Sequence, residues 1–282
     1  TAYLRPQDAS GSLYDQMLRC TLIGAVRRIY EPGCKHDAAT VLVGPQGCGK
    51  STFWRALAGP FFSDSLRDCS SKDDLMVLHR SWLMEWAELD YITGKRHAGQ
   101  VKAFLSQQTD TFRVPYGRAT EEFPRRGIIV GSTNKDTFLI DDTGNRRFWV
   151  IPTIVPDMIN IDGLLLERDA LWSAAVHAYR SGASNHLSRE LNQQVEAENS
   201  AYLVDSPWLV PVREWINAPR NAGAVITTEL LLTEAIGKPV ERQSRADQMQ
   251  IASILRSMGH VQQRLTHARG QKRVWCQPPA KG

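Results

Sequence analysis

Two patterns of apolar residues divide this chain into short strands and longer helices. Apolar runs at 39–43 and 82–88, and a third at 128–134 that ends in polar residues, are typical of buried strands. Apolar side chains at helical spacing predict helices over 11–30 and 163–182, and Ser188 predicts the cap of a further helix that reaches about residue 203. The mixture of buried strands and amphipathic helices predicts an α/β fold.

The chain after 206–207, a Ser-Pro boundary, has a different order of elements. We predict a helix near 207–217, a strand at 224–227, a helix from Thr228, a helix from Ser244, and strands at 261–266 and 272–276. The residues Ser244-Arg245-Ala246-Asp247 resemble a capping box. Helix, strand, helix, helix and hairpin is the order of a winged-helix domain, which binds DNA in many proteins and other proteins elsewhere.

Charge is distributed unevenly along the chain. Residues 1–210 hold 23 Lys and Arg against 25 Asp and Glu, whereas residues 211–282 hold 11 against 5. A basic C-terminal part favours a polyanion partner, and we interpret it as DNA; a solvated basic surface is the alternative. The candidate DNA contacts in this part are Arg245, Arg256, Arg264, Arg269, Lys272 and Arg273.

The overall composition, 42% hydrophobic and 23% charged, is typical of a soluble globular protein. No apolar run approaches membrane-spanning length, and the N-terminus lacks a signal peptide, so we expect no membrane partner. Five scattered cysteines without a C-x-x-C pair argue against a disulfide framework or a zinc site and favour the cytoplasm. Because the chain begins with Thr1, we expect a fragment of a longer polypeptide.

The sequence GPQGCGKS at 44–51 matches the phosphate-binding pattern G-x-x-x-x-G-K-[ST]. A strand precedes it and a helix follows at 52–58, so the phosphates of ATP would meet the helix N-terminus. Lys50 would reach the β- and γ-phosphates and Ser51 would bind Mg²⁺; a chance glycine-rich turn is the alternative. The candidate nucleotide contacts are Gly44, Pro45, Gln46, Gly47, Cys48, Gly49, Lys50, Ser51 and Thr52.

Two glutamates lie in the apolar run 82–88. A phosphate-loop enzyme needs acids at a strand end to hold Mg²⁺ and to orient the attacking water. We assign Glu88 to water activation and to the metal, with Glu85 supporting it or the metal. Burying an acid in an apolar run is costly without a partner, which favours a functional role over a helix with solvated acids.

Asn134 and the pair Arg146 and Arg147 complete the catalytic candidates. Asn134 ends the third strand, where it would sense the γ-phosphate or the attacking water, or simply cap the next turn. Arg146 and Arg147 follow a Gly-Asn turn. One of them would act as an arginine finger from a neighbouring subunit, while the other holds the loop.

A hairpin is predicted around 110–118, with Tyr-Gly-Arg at its tip. It would present Arg118 and Arg113 to a nucleic-acid backbone. Surface charges balanced by Glu121 and Glu122 are an equal alternative.

The linked motifs PGCKHD, GPQGCGKSTF, WLMEWAELD, VKAFLSQQTDTFRVPYGR, PRRGIIVGSTN and DDTGNRRFWVI resemble the virulence-associated E family of phage, prophage and mobile-element proteins. That family is similar to superfamily 3 helicases, which are AAA+-related ATPases that usually form hexameric rings around DNA. The resemblance covers about residues 30–180 and implies a three-layer P-loop AAA+-like core. Together with the helices and the Ser-Pro boundary read from the sequence, this predicts four domains: an N-terminal helical segment (1–30), the ATPase core (31–155), a helical lid or linker (156–205) and the winged helix (206–282).

The resemblance also assigns roles within the motifs. It implies that 44–51 is the Walker A loop, Glu88 with Glu85 the Walker B acid, Asn134 the sensor, and Arg146 or Arg147 the finger. Arg118 would face the central channel. The superfamily commonly has adjacent acids, whereas Trp86-Ala87 separates these two, so their division of labour stays open. A primase domain often precedes such proteins, and 1–30 is too short to be one.

The sequence therefore predicts an ATP-dependent helicase or translocase that acts as a ring on single-stranded or forked DNA in the replication of a mobile element in a bacterial host. An ATP-switched initiator or regulator that does not unwind DNA is the alternative. A DNA-packaging ATPase is disfavoured because the sequence shows no nuclease-like carboxylate cluster.

Overall fold

The computed structural model describes residues 1–8, 11–66, 71–87, 98–114, 119–139, 145–204, 206–267 and 270–276. The chain forms two compact units, Thr1–Val204 and Asp205–Gly282. The segments 1–30 and 156–204, which the sequence analysis separated from the core, lie within the first unit.

A five-stranded parallel sheet forms the centre of the first unit. The strands of this unit are β1 (Ala39–Val43), β2 (Phe62–Ser63), β3 (Leu83–Ala87), β4 (Thr109–Phe112), β5 (Glu121–Pro124), β6 (Ile128–Thr133) and β7 (Phe148–Pro152). The order across the sheet is β2-β3-β6-β1-β7, while β4 and β5 form a separate antiparallel hairpin. Strands β1, β3 and β6 confirm the prediction that the three apolar runs form strands. Because the sheet is parallel, all its carboxyl ends lie at one edge and all its amino ends at the other.

Helices cover both faces of this sheet. They are α1 (Leu13–Tyr30), α2 (Lys50–Ala58), α3 (Lys72–Arg80), α4 (Ala98–Ser106), α5 (Ile161–Arg180) and α6 (Arg189–Asn199). Side chains of α1, α2, α5 and α6 pack with Leu42 and Ile151 on one face, and those of α3 and α4 pack with Val41 and Val150 on the other. Neighbouring strand residues point to opposite faces, so the sheet is the middle of three layers.

Local side-chain bonds set several helix boundaries. The hydroxyls of Ser12, Ser71 and Ser188 each accept a hydrogen bond from the backbone N–H three residues later. The helix that follows Ser188 was predicted to reach about residue 203, but it ends at Asn199 and continues as a 3-10 turn. The Ser200 hydroxyl donates to the Ala197 carbonyl at 2.6 Å, a local bond that competes with further α-helix.

The second unit has the order helix, bridge, helix, helix and hairpin. Its elements are α7 (Leu209–Asn217), α8 (Thr228–Glu234), α9 (Arg245–Ser257), β8 (Val261–His267) and β9 (Gly270–Cys276). The helices and β9 share a core that contains Trp215, Leu231, Leu255 and Trp275.

The predicted capping box at the start of α9 is confirmed, with Ser244 and Asp247 bonded reciprocally. The predicted strand at 224–227 is wrong, since only Ile226 pairs, in an isolated bridge to Trp275. The Thr227 hydroxyl instead caps α8, where it accepts from the Leu230 N–H at 3.1 Å.

Candidate active site

The loop 44–49 leaves the carboxyl end of β1 and enters α2 directly. Gly47 and Gly49 have φ angles of 83° and 95°, in the left-handed region that a side chain disfavours. The Gly44 N–H donates to the Thr133 carbonyl at 3.3 Å. The loop is therefore curved by its glycines and tied to the end of β6.

Lys50, the first residue of α2, turns its ammonium group back into this loop. Its Nζ donates to the carbonyl oxygens of Gly44 and Pro45, at 2.7 Å each, and lies 3.8 Å from the Cys48 Sγ. All three partners are neutral groups of the loop itself. An anion bound inside the loop would offer this buried cation a stronger, charge-assisted partner.

The start of α2 is open to such an anion. Gly49 supplies no side-chain cap, and Ser51 and Thr52 in the first turn are exposed, as are Pro45 and Gln46 in the loop. The first N–H groups of a helix have no partner within it, and the helix dipole adds positive potential there. The terminus therefore has the features of a phosphate-binding site.

A chain of three polar side chains runs from α2 across the sheet. The Ser51 Oγ lies 3.2 Å from the Ser132 Oγ, and Ser132 donates to Glu85 Oε1 at 2.6 Å. Ser132 belongs to β6, which separates β1 from β3, so the loop strand and the acidic strand are linked through it. Ser51 and Glu85 were predicted from the sequence as site residues, whereas Ser132 was not.

Of the two candidate acids, Glu85 is the one that lies within the described residues. Its side chain is 0% exposed, and among the described residues its Oε2 has no hydrogen-bond partner. Burial raises the pKa of Glu85, although the hydroxyls of Ser132 and Ser51 oppose the shift. An uncompensated buried carboxylate is costly, so this position favours a cation. Glu88, the first candidate for water activation, lies outside the described residues.

Asn134 follows β6 at the edge of the sheet where loop 44–49 begins, and its side chain is exposed. The next turn is capped by its neighbour, because the Lys135 N–H donates to the Thr133 Oγ1 at 3.1 Å. Asn134 is therefore close in the fold to the phosphate loop, as the sensing interpretation requires.

Arg146 and Arg147 lie at the opposite edge of the sheet from the loop 44–49. They form a 3-10 turn, Asn145–Arg147, just before the first residue of β7. The five residues of β7 span about 15 Å, which separates the two edges. Neither arginine is placed to reach the loop of its own chain.

This arginine turn is held by two side chains that sequence reasoning missed. The Asn199 Nδ2, buried at the end of α6, donates to the carbonyls of Asn145 and Phe148 at 2.9 Å each. The Arg147 Nε donates to the Ser106 Oγ of α4 at 3.0 Å, whereas Arg146 is exposed. Among the described contacts, Arg147 is therefore tied to α4 while the side chain of Arg146 lies at the surface.

A polar cleft of about 500 Å³ opens beside the same turn. Its charged lining comprises Lys35, Arg146, Arg147 and Arg189 against Asp37 and Glu196. Lys35 lies 3.9 Å from Asp37, while no carboxylate of the described residues pairs with the three arginines. The described lining of the cleft therefore carries a net positive charge.

The hairpin β4–β5 is anchored by a buried ionic cluster. Arg125 donates through Nε and a terminal nitrogen to the two oxygens of Asp110, at 2.7 and 2.8 Å, and His79 bonds the same carboxylate at 2.9 Å. Arg113 follows β4 and is exposed, and Arg118 lies outside the described residues. The cluster therefore fixes the base of the β4–β5 hairpin, whose first strand Arg113 follows.

The basic residues of the second unit occupy α9 and the β8–β9 hairpin. Arg245 is exposed at the first position of α9, and the Arg256 guanidinium lies 5.7 Å from the Trp275 ring. Arg264 and Arg273 are exposed and directly opposite in register. Like charges in such a pair repel, so an anion would stabilise this surface. Arg269 and the side chain of Lys272 lie outside the described parts of the chain.

Within the described ranges, no group of three or more His, Cys, Asp and Glu side chains is arranged to hold a metal. Mg²⁺ differs from metals that need such a cage, since it is commonly held by one or two carboxylates plus phosphates and waters. Ser51 and Glu85 fit that smaller requirement. In the part of the chain that the structure covers, no helix combines the length and apolar character needed to cross a membrane.

The comparisons with known proteins agree with this architecture. Two apo structures of the NrS-1 C-terminal region resemble the chain, each with a TM-score of 0.50 and 98% of this chain covered. They are 12% and 13% identical to it, and 74% and 77% of their own chains are covered, so the likeness concerns the fold. No curated protein matches the chain. The family model described as the virulence-associated protein E-like domain matches residues 2–204. The chain therefore belongs to the virulence-associated protein E-like family.

Proposed function

We propose that the first unit binds ATP with Mg²⁺ and hydrolyses it. This proposal rests on the hydrogen-bonded side chains of Ser51, Ser132 and Glu85, which lie beside a glycine-rich loop and a helix terminus without a side-chain cap. The loop N–H groups and Lys50 would hold the phosphates, and Ser51 and Glu85 would hold Mg²⁺, which neutralises charge on the phosphoryl group. Asn134 would orient the attacking water, with Glu88 as the candidate base.

The arginine turn supports hydrolysis between copies of the chain. Arg146 and Arg147 are about 15 Å or more from the loop of their own chain, so they would serve a nucleotide held by a neighbour. An arginine supplied in trans accelerates phosphoryl transfer by a factor of about 10³ or more. We propose a homo-oligomeric ring, with the hexamer taken from the likeness to superfamily 3 proteins.

DNA is the proposed partner of the second unit and of the β4–β5 hairpin. The order helix, bridge, helix, helix and hairpin suits a winged helix, with α9 as recognition helix and β8–β9 as wing. The facing Arg264 and Arg273 and the excess of basic over acidic residues after 210 support a phosphate backbone as ligand.

The function supported best is an ATP-driven helicase or translocase that acts in DNA replication of a phage or other mobile element, in the cytoplasm of its host. The alternative is a nucleotide-switched initiator that binds DNA without unwinding it. Strand displacement on a forked substrate, measured beside filter binding of the same DNA, separates the two. Unwinding supports the motor, while ATP-dependent binding without displacement supports the initiator.

The ATP site is tested by Lys50→Ala in a hydrolysis assay with and without single-stranded DNA. Lys72→Ala is the matched control, since it removes one exposed lysine at the start of α3. We expect Lys50→Ala to lower turnover by about a hundredfold or more, because it removes the positive charge that would stabilise the transferred phosphoryl group. We expect Lys72→Ala to leave turnover unchanged. Turnover that survives Lys50→Ala would contradict the site, and a strictly monomeric, fully active protein would contradict the trans arginine.

A further inference from the structure

Ser132 occupies the junction between the loop strand and the acidic strand. It is buried, lies near the carboxyl end of β6, and its neighbours in register are Leu42 of β1 and Ala87 of β3. Its hydroxyl is within hydrogen-bond distance of both Ser51 and Glu85. A side chain at this point can orient groups from two different elements.

The hydrogen bonds at Ser132 have a fixed direction. A serine hydroxyl carries one proton, and Ser132 donates its proton to Glu85 at 2.6 Å. The contact between Ser51 and Ser132 is then made by the Ser51 proton, with the Ser132 oxygen as acceptor. The Ser51 lone pairs then take no part in the contact with Ser132, and Ser51 itself is exposed. The same bond holds the Glu85 carboxylate in one orientation.

We infer that Ser132 is a positioning residue for Mg²⁺, which acts through Ser51 and Glu85 without itself touching the nucleotide. The inference rests on the proposed ATPase function and deepens it. Mg²⁺ demands near-octahedral geometry at 2.0–2.1 Å, so it is sensitive to the orientation of its ligands. Phosphate binding by loop 44–49 does not pass through Ser132. Loss of its hydroxyl therefore weakens the response to Mg²⁺ more than it weakens nucleotide binding.

The variants Ser132→Ala, Ser132→Thr and Ser132→Cys test the inference. Alanine removes the hydroxyl, threonine keeps it, and cysteine offers a weaker donor of similar size that carries the test if the alanine variant does not fold. Ser81→Ala is the matched control, because Ser81 is buried and, among the described residues, its hydroxyl bonds the Val77 carbonyl near the end of α3. Thermal unfolding of each variant reports its folded state.

Two measurements are made on each protein. The first is binding of a fluorescent, non-hydrolysable ATP analogue as a function of Mg²⁺ concentration, and in EDTA. The second is the Mg²⁺ dependence of hydrolysis. For Ser132→Ala we expect the half-saturating Mg²⁺ concentration to rise about tenfold or more. The affinity for the ATP analogue in EDTA should change little. The half-saturating Mg²⁺ concentration of Ser132→Cys should lie between those of the wild type and Ser132→Ala. Ser132→Thr and Ser81→Ala should resemble the wild type.

The outcomes separate this inference from the proposed function. If the wild-type protein neither binds nor hydrolyses ATP, the proposed function fails. If the wild type is active and Ser132→Ala and Ser132→Cys keep its Mg²⁺ dependence, the positioning role is overturned while the ATPase stands. An equal loss of binding with Mg²⁺ and in EDTA would also overturn it, since that pattern indicates general damage to the loop.

Discussion

The buried cluster of Asp110, Arg125 and His79 gives the sharpest prediction about stability. Asp110 is 0% exposed and Arg125 is 3% exposed, and the guanidinium also donates to the Phe104 carbonyl at 2.6 Å. Asp110→Asn keeps the shape of the side chain but leaves the arginine charge buried without a counter-ion. Breaking a buried ion pair from one side costs about 3–5 kcal/mol.

Urea unfolding of the protein, followed by circular dichroism, measures this cost. Asp64→Asn is the matched control, because its carboxylate pairs with Arg55 at 2.8 Å where the two side chains are 50% and 59% exposed. We expect the control to lose less than about 1 kcal/mol. For a unit whose stability falls in the usual range of about 5–15 kcal/mol, the Asp110→Asn loss is large and readily measured.

The pH dependence of the same cluster has a defined sign. Burial raises the pKa of Asp110, but hydrogen bonds from Arg125 and His79 outweigh burial and hold the pKa below the ordinary value of 3.8. The contribution of Asp110 is therefore complete above that value and is lost as the pH falls through the folded-state pKa. A cost of Asp110→Asn no larger than that of Asp64→Asn would refute the reasoning, as would an advantage of the wild type that grows on acidification below pH 3.8.

The remaining predictions concern acid stability and DNA. Burial lowers the pKa of His36 to about 3, so the unfolded chain binds a proton below about pH 6.5 that the folded chain does not. Stability is then lost as the pH falls from about 6.5 toward 3, by about 2 kcal/mol at about pH 5, and His36→Gln should flatten this slope in urea unfolding. An unchanged slope would count against His36 as the cause of the acid destabilisation. Arg264→Ala should weaken DNA binding and lower the slope of log affinity against log salt by about 1, whereas Arg220→Ala, an exposed arginine outside α9 and the hairpin, should not. Equal effects of the two changes would argue against a specific hairpin surface.

Signals that act over a few residues made most of the fold predictable. The strand 39–43 and the starts of α6 and α9 follow from a continuous apolar run and from Ser188 and Ser244 at cap positions. The glycine pattern at 44–51 likewise predicted the loop between a strand and a helix. Each of these features depends on neighbours in the chain, which a sequence displays directly.

The features that sequence reasoning missed depend on residues far apart in the chain. Ser132 is one polar residue near the end of a buried strand, and only the pairing of β6 with β3 brings it to Glu85. Asp110 and Arg125 are 15 positions apart, and Asn199 is 54 positions from Asn145. Nothing local distinguishes these residues from surface polar groups. The wrong strand at 224–227 has a local cause, since the Thr227 hydroxyl serves α8.

The two unlike edges of the parallel sheet restrict how copies of this chain could cooperate. If the loop edge of one copy meets the cleft edge of another, each composite site needs two copies, and either a two-fold symmetric dimer or a closed ring could complete every site. An open row of copies would always contain one fewer composite site than it has members, whereas a closed row would contain one for each. Activity per molecule would then rise with protein concentration as copies assemble, and it would reach one site for each copy when the row closes. A titration of turnover against concentration would thus report this assembly without any measurement of mass.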